Sequence, residues 1–124
     1  MSLQLPSTLW VATAPINLRL SFDRLASIVR AELGGDPQEP LLVMFHNRRR
    51  THAKLLWHDG RGYCLFYKRL DRGRTFRIPL AIPAGARSVV VSARELQLIL
   101  DGINHKLLRK ARALGAAMRA ARNG

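Results

Sequence analysis

Apolar residues recur along this chain with two periods, and the two periods divide it into elements. Leu9–Thr13 (LWVAT) is a short apolar run between Pro6 and Pro15 and predicts a strand. Leu41–His46 (LLVMFH), apolar through Phe45, reads as a buried strand. His52–Trp57 and Gly62–Lys68 read as a hairpin around His58-Asp59-Gly60-Arg61, whose Asp-Gly pair supplies the positive φ angles of a tight turn. A polar turn over Leu70–Arg74, centred on Gly73, leads to Thr75–Pro79, predicted as the fourth strand of a meander.

Helical spacing appears three times. Phe22, Leu25, Ile28, Val29 and Leu33 follow Ser21, a candidate N-cap, with Asp23 favourable in the first turn. Gly34-Gly35 and Asp36-Pro37 end that helix. After an extended connection over Leu80–Arg87, Ser92-Ala93-Arg94-Glu95 is a capping box. Leu96, Ile99, Leu100 and Ile103 then give one apolar face, with Gly102 near the helix end. From His105 to about Arg122, Leu107, Leu108, Ala111, Leu114 and Met118 share one side of a last helix. The order β-α-β-β-β-β-α-α predicts a single α+β domain. It is a small, mostly antiparallel meander packed with an N-terminal and a late helix over residues 1–104, plus a basic C-terminal helix or tail over 105–124.

Charge changes this picture. The 124 residues are 48% hydrophobic, enough for a core, yet the net charge is +13. Such an excess costs stability by self-repulsion and points to a polyanionic partner. It is unevenly placed. Residues 1–45 carry three basic and four acidic side chains, and residues 78–104 carry two of each. Residues 46–77 carry ten basic against two acidic, and residues 105–124 six against none. A hairpin of that composition suits phosphate contact. Its candidate ligands are Asn47, Arg48, Arg49, Arg50, Lys54, Arg61, Lys68, Arg69, Arg72 and Arg74, the turn arginines lying along one rim. Lys106, Arg109, Lys110 and Arg112 would extend the surface onto the last helix. That helix could instead dock its Leu107, Leu114 and Met118 seam on a partner protein, and a membrane-surface role fits least because the seam lacks Trp and Phe. Trp57, Tyr63, Phe66 and Tyr67 are read as core rather than as base-stacking platforms. Asn47, beside three arginines, is the one candidate for base readout.

Other chemistries find little support. A nuclease centre needs clustered carboxylates to hold two metal ions. The eight acids include Asp23, Glu95, Asp101 and Asp59, each of which has a capping, helix-surface or turn explanation. His46, His52, His58 and Cys64 recur every six residues, an interval unlike known zinc spacings, and are read as structural. Cys64 reads as a buried small hydrophobe, and a single cysteine argues for a reducing compartment. No apolar run approaches the roughly 20 residues of a membrane span, and no signal peptide is visible at the N-terminus. Neither a cofactor nor a metal is expected.

Asn17–Leu25, Lys54–Leu65 with its W-x-D-G-x-G-x-C-L run, Lys68-Arg69-Leu70, Gly73, Phe76, Pro79 and Leu96–Ile103 together resemble one family. It is the accessory protein encoded by the second open reading frame of bacterial insertion sequences of family 66. The resemblance spans roughly residues 9–104. Asn17 stands where the family pattern has Asp, and Gly73–Phe76 is one residue longer than its usual spacing. The resemblance implies a role in DNA transposition; the lack of a catalytic cluster makes that role a non-catalytic one, and the lone cysteine and absent signal peptide place it in the bacterial cytoplasm. Its implied partners are DNA, including the element's terminal repeats, a separate transposase that performs the strand chemistry, and the element's other accessory protein. The alternative is a module that docks on the transposase without recognising DNA.

Overall fold

The computed structural model describes residues 4–79 and 81–123. In chain order it holds β1 (Thr8–Ala12), α1 (Phe22–Ala31), β2 (Leu41–His46), β3 (His52–His58) and β4 (Tyr63–Arg69). There follow β5 (Arg74–Thr75), β6 (Ser88–Val91), α2 (Ala93–Asp101), β7 (Ile103–Asn104) and α3 (His105–Asn123). The five-stranded sheet runs β4-β3-β2-β1-β6, and β5 pairs with β7 in a separate two-stranded ribbon. β1 and β2 are parallel, with Thr8 opposite Leu41. Parallel neighbours need a crossover, and α1 supplies it. The other pairs are antiparallel. The fold is thus the expected single-domain α+β arrangement with a mostly antiparallel sheet.

Strand alternation divides the core in two. Leu41, Val43, Phe45 and Leu56 pack with Leu25, Ala26 and Val29 of α1. Leu42, Met44, Leu55 and Trp57 face the other way, with Leu96 and Ile99 of α2. β2 is buried at all six positions because both its faces are covered. A continuous apolar run is the sequence form of such a strand.

Several local expectations meet a different outcome. Thr75–Pro79 is not a meander strand. Only Arg74–Thr75 pairs, and it pairs with β7 rather than β4. The backbone N–H of Phe76 donates instead to the Arg50 carbonyl at 2.7 Å, which seats the ring 2% exposed in the α2-side core. β6, which no sequence pattern predicts, pairs with β1 beyond the extended connection, where Val89–Val91 supplies the β-branched residues. Leu80, in that connection, lies outside the described residues. At the β3–β4 turn Gly60 has φ 93°, but Asp59 does not take a positive φ. Its carboxylate holds the turn by accepting the Arg61 and Gly62 N–H groups at 2.9 and 3.0 Å.

The helix starts also differ in detail. Ser21 has N-cap geometry with no side-chain cap bond, whereas the Ser92–Glu95 box is complete. α3 carries a cap of its own: Asn104 Oδ1 accepts the Leu107 N–H at 3.1 Å.

Candidate nucleic-acid interface

Three backbone hydrogen bonds tie distant basic segments into one end of the molecule. Leu70 N–H donates to the Thr51 carbonyl at 2.9 Å, joining the end of β4 to the β2–β3 turn. Phe76 N–H on the Arg50 carbonyl joins that turn to the chain after β5. His105 N–H donates to the Gly73 carbonyl at 3.0 Å, fixing the first residue of α3 on the β4–β5 turn. His105 Nε2 also lies 2.7 Å from the Thr75 hydroxyl. Arg48, Arg49, Arg50, Arg69, Arg72 and Arg74 therefore gather at one end, all exposed, with Lys106, Arg109, Lys110 and Arg112 exposed on the helix leaving it. Two acids stand among them: Asp71 and Asp101 share an open basin of about 390 Å³ with Lys68, Arg69 and Arg74.

Some predicted ligands are placed elsewhere or otherwise engaged. Arg61 occupies the opposite end of the β3–β4 hairpin, about 20 Å from the β2–β3 turn along β3 at ~3.3 Å per residue. The single rim containing all the turn arginines is corrected accordingly. Lys54 is 6% exposed. Its ammonium donates to the Leu20 carbonyl at 2.7 Å, so it serves the fold rather than the surface. Lys68 reaches the Leu100 carbonyl at 3.0 Å, a cation at the C-terminal turn of α2 where the helix dipole favours it. Asn47 is spent on its own turn: Oδ1 accepts the Thr51 and His52 N–H groups at 2.9 and 3.0 Å, and Nδ2 donates to the Thr51 hydroxyl at 2.9 Å. The reading also missed Arg77, exposed and lining the same small cavity as Arg50 beside Phe76. Its place among the ten basic residues of the 46–77 segment was the available signal.

Arg50 is the non-glycine residue with a positive φ, 59°, among those described. An arginine held in the left-handed region costs on the order of 1–2 kcal/mol relative to glycine.

The aromatics separate. Trp57 is buried and Tyr63 partly so, but Tyr67 is 54% and Phe66 47% exposed on the edge strand β4. Reading them as core holds for the first pair and is corrected for the second. Cys64 is half-buried rather than buried, with Sγ 3.7 Å from Asp59 Oδ2. Desolvation, then the Asp59 charge, push its thiol above the usual range. Among the described residues no three His, Cys, Asp or Glu side chains gather as metal ligands, and no helix is long and apolar enough to cross a membrane. On α3, Leu107, Leu114 and Met118 are 64%, 63% and 56% exposed.

The family model described as "IS66 Orf2 like protein" matches residues 7–110. The chain is also similar to a protein of Sinorhizobium fredii (strain NBRC 101917 / NGR234) named "Uncharacterized protein y4hO". The two are 40% identical over 95 residues, covering 77% of this chain and 79% of the other. No solved structure matches. The matched span runs from β1 through the first turns of α3 and so takes in the whole sheet, both core helices and the basic end just described; the chain belongs to the IS66 Orf2-like family of insertion-sequence accessory proteins.

Proposed function

We propose that this transposition accessory protein binds DNA, without catalysing strand chemistry, through Arg48, Arg49, Arg50, Arg69, Arg72 and Arg74 and the first turns of α3. The observation that carries the reading is the gathering of two separate basic segments at one end by the bonds from Leu70, Phe76 and His105. Folding like charges together costs free energy that a polyanion would recover. Contacts of this kind grip phosphates and do not read bases. With Asn47 engaged in its turn, targeting to the element's terminal repeats falls to the transposase or to DNA shape.

Fluorescence anisotropy with labelled terminal-repeat and scrambled duplexes over a salt series tests this. Affinity should fall steeply with salt, and changing Arg48, Arg49 and Arg50 to Ala should lower the slope of log K against log salt by up to about 3. Arg50→Gly alone should weaken binding while relieving the φ of 59°, so that a loss of affinity cannot be laid to unfolding. Unchanged affinity in both variants would remove this end of the molecule from the interface.

The exposed Leu107, Leu114 and Met118 seam favours a second reading, docking of α3 on the transposase. In that case Leu114→Glu would abolish nuclease-resistant co-purification with the transposase and leave DNA affinity unaltered.

A further inference from the structure

We infer that Tyr67 is a stacking platform for an unpaired base, so that the basic end takes single-stranded DNA in preference to duplex. This deepens the DNA-binding reading and rests on it.

On β3 and β4 the residues His52, Lys54, Tyr67 and Arg69 fall on one face, with Lys54 opposite Tyr67 and His52 opposite Arg69. β4 is the sheet edge, so Tyr67 has a strand neighbour on one side only. The buried Lys54 ammonium lies 5.0 Å from the Tyr67 ring centroid and is anchored on the Leu20 carbonyl. The His52 and Tyr67 rings form a T-shaped pair, with centroids 6.0 Å apart and an interplanar angle of 61°. One π-face is therefore covered by a cation and the orientation is set, yet the residue remains 54% exposed. More than half of the residue thus stays open to solvent although the ammonium takes up one side of its ring. An exposed phenol ring oriented by its neighbours, on an edge strand that ends in Arg69 and is joined through Leu70 to the Arg48–Arg50 turn, combines the two parts of a single-strand site: an aromatic ring and cations beside it.

Duplex DNA cannot use the plane, because its base faces are already stacked on one another. Phe66 supplies an internal control. It is similarly exposed, but it lies on the opposite face, lining an apolar groove with Leu55, Trp57, Leu96 and Leu100.

The test compares a labelled single-stranded oligonucleotide with the duplex of the same sequence, at one salt concentration, by anisotropy. The wild-type chain should bind the single strand more tightly. Tyr67→Leu should weaken single-strand binding by about 5- to 150-fold, the range for loss of one stacked base, with duplex affinity within about twofold. Tyr67→Trp should retain the single-strand preference, and Phe66→Leu should leave both affinities in place. If Tyr67→Leu binds both forms with the wild-type ratio, the platform is overturned while DNA binding stands. If the wild-type chain binds neither form, the underlying DNA reading fails, and this site with it.

Discussion

At the residue scale, Asp59 links turn geometry to thiol chemistry. Its carboxyl lies below the ordinary value of 3.8, first because the Arg61 and Gly62 N–H groups donate to it, with smaller help from Cys64 and His58. A depressed carboxyl contributes stability above its unfolded value and loses that contribution as pH falls through the lower folded value. The hairpin turn should therefore hold at pH 5 and loosen as acid approaches and passes below 3.8. Cys64 carries the opposite shift, above 9.0, with desolvation the larger cause and the Asp59 charge the next. Its contribution is whole below the unfolded value and is lost as pH rises through the folded one. At neutral pH few Cys64 side chains are thiolate, so alkylation should be slow. Asp59→Asn keeps an acceptor for both turn N–H groups and deletes the charge. It should speed iodoacetamide labelling of the folded chain by about two- to threefold, desolvation holding back the rest. A rate equal to that of the parent would show that the charge is too well screened to reach the sulfur.

At the element scale, the junction from α2 into β7 depends on Gly102. It ends α2 at φ 73° and ψ −172°, a region essentially reserved for glycine. A Cβ there would stand 2.7 Å from the Thr75 carbonyl oxygen and 3.0 Å from Leu70 Cδ1. Backbone conformation and space oppose a side chain independently, so Gly102→Ala should destabilise by about 2–4 kcal/mol and separate β5 from β7. A melting temperature within about 2 °C of the parent would contradict this. That junction also shows what the sequence disclosed. Gly102 near the helix end and the Ser92–Glu95 box were visible, because capping is local chemistry. So were β2, from its apolar run, and the β3–β4 hairpin, from its Asp-Gly turn. The pairing of β5 with β7 joins Arg74 to Asn104 across thirty positions, and no local pattern encodes it. β6 is not legible locally because three valines between a Pro/Gly connection and a helix cap are too few to show a period. The exposure of Tyr67 depends on β4 being an edge, which strand order decides and alternation along β4 does not.

At the scale of the whole molecule, the charge asymmetry was legible and its spatial consequence was not. Composition separates residues 46–77 and 105–124 as the basic segments. Only tertiary hydrogen bonds bring the β2–β3 turn, the β4–β5 turn and the start of α3 together, and only strand length sends Arg61 to the far end. Gathering these cations makes the folded state more repulsive than an even spread of the same +13 would. Salt should therefore act on stability and on DNA binding with opposite signs. Raising ionic strength from about 0.01 M to 0.1 M shortens the Debye length from about 30 to 10 Å, which screens arginines on neighbouring turns from one another. Over that range the melting temperature of the free chain should rise by about 3–6 °C, while log K for DNA falls. At the low-salt end, a saturating polyanion such as polyphosphate should raise the melting temperature by at least as much, since a ligand bound only by the folded state stabilises it by mass action. The Arg48, Arg49 and Arg50 to Ala variant, with three fewer charges at the crowded end, should melt higher than the parent in low salt and lose part of both responses. A free chain whose melting temperature ignores salt would mean that the gathered arginines are solvated well enough not to repel, and the electrostatic case for a polyanionic partner would lose its energetic basis.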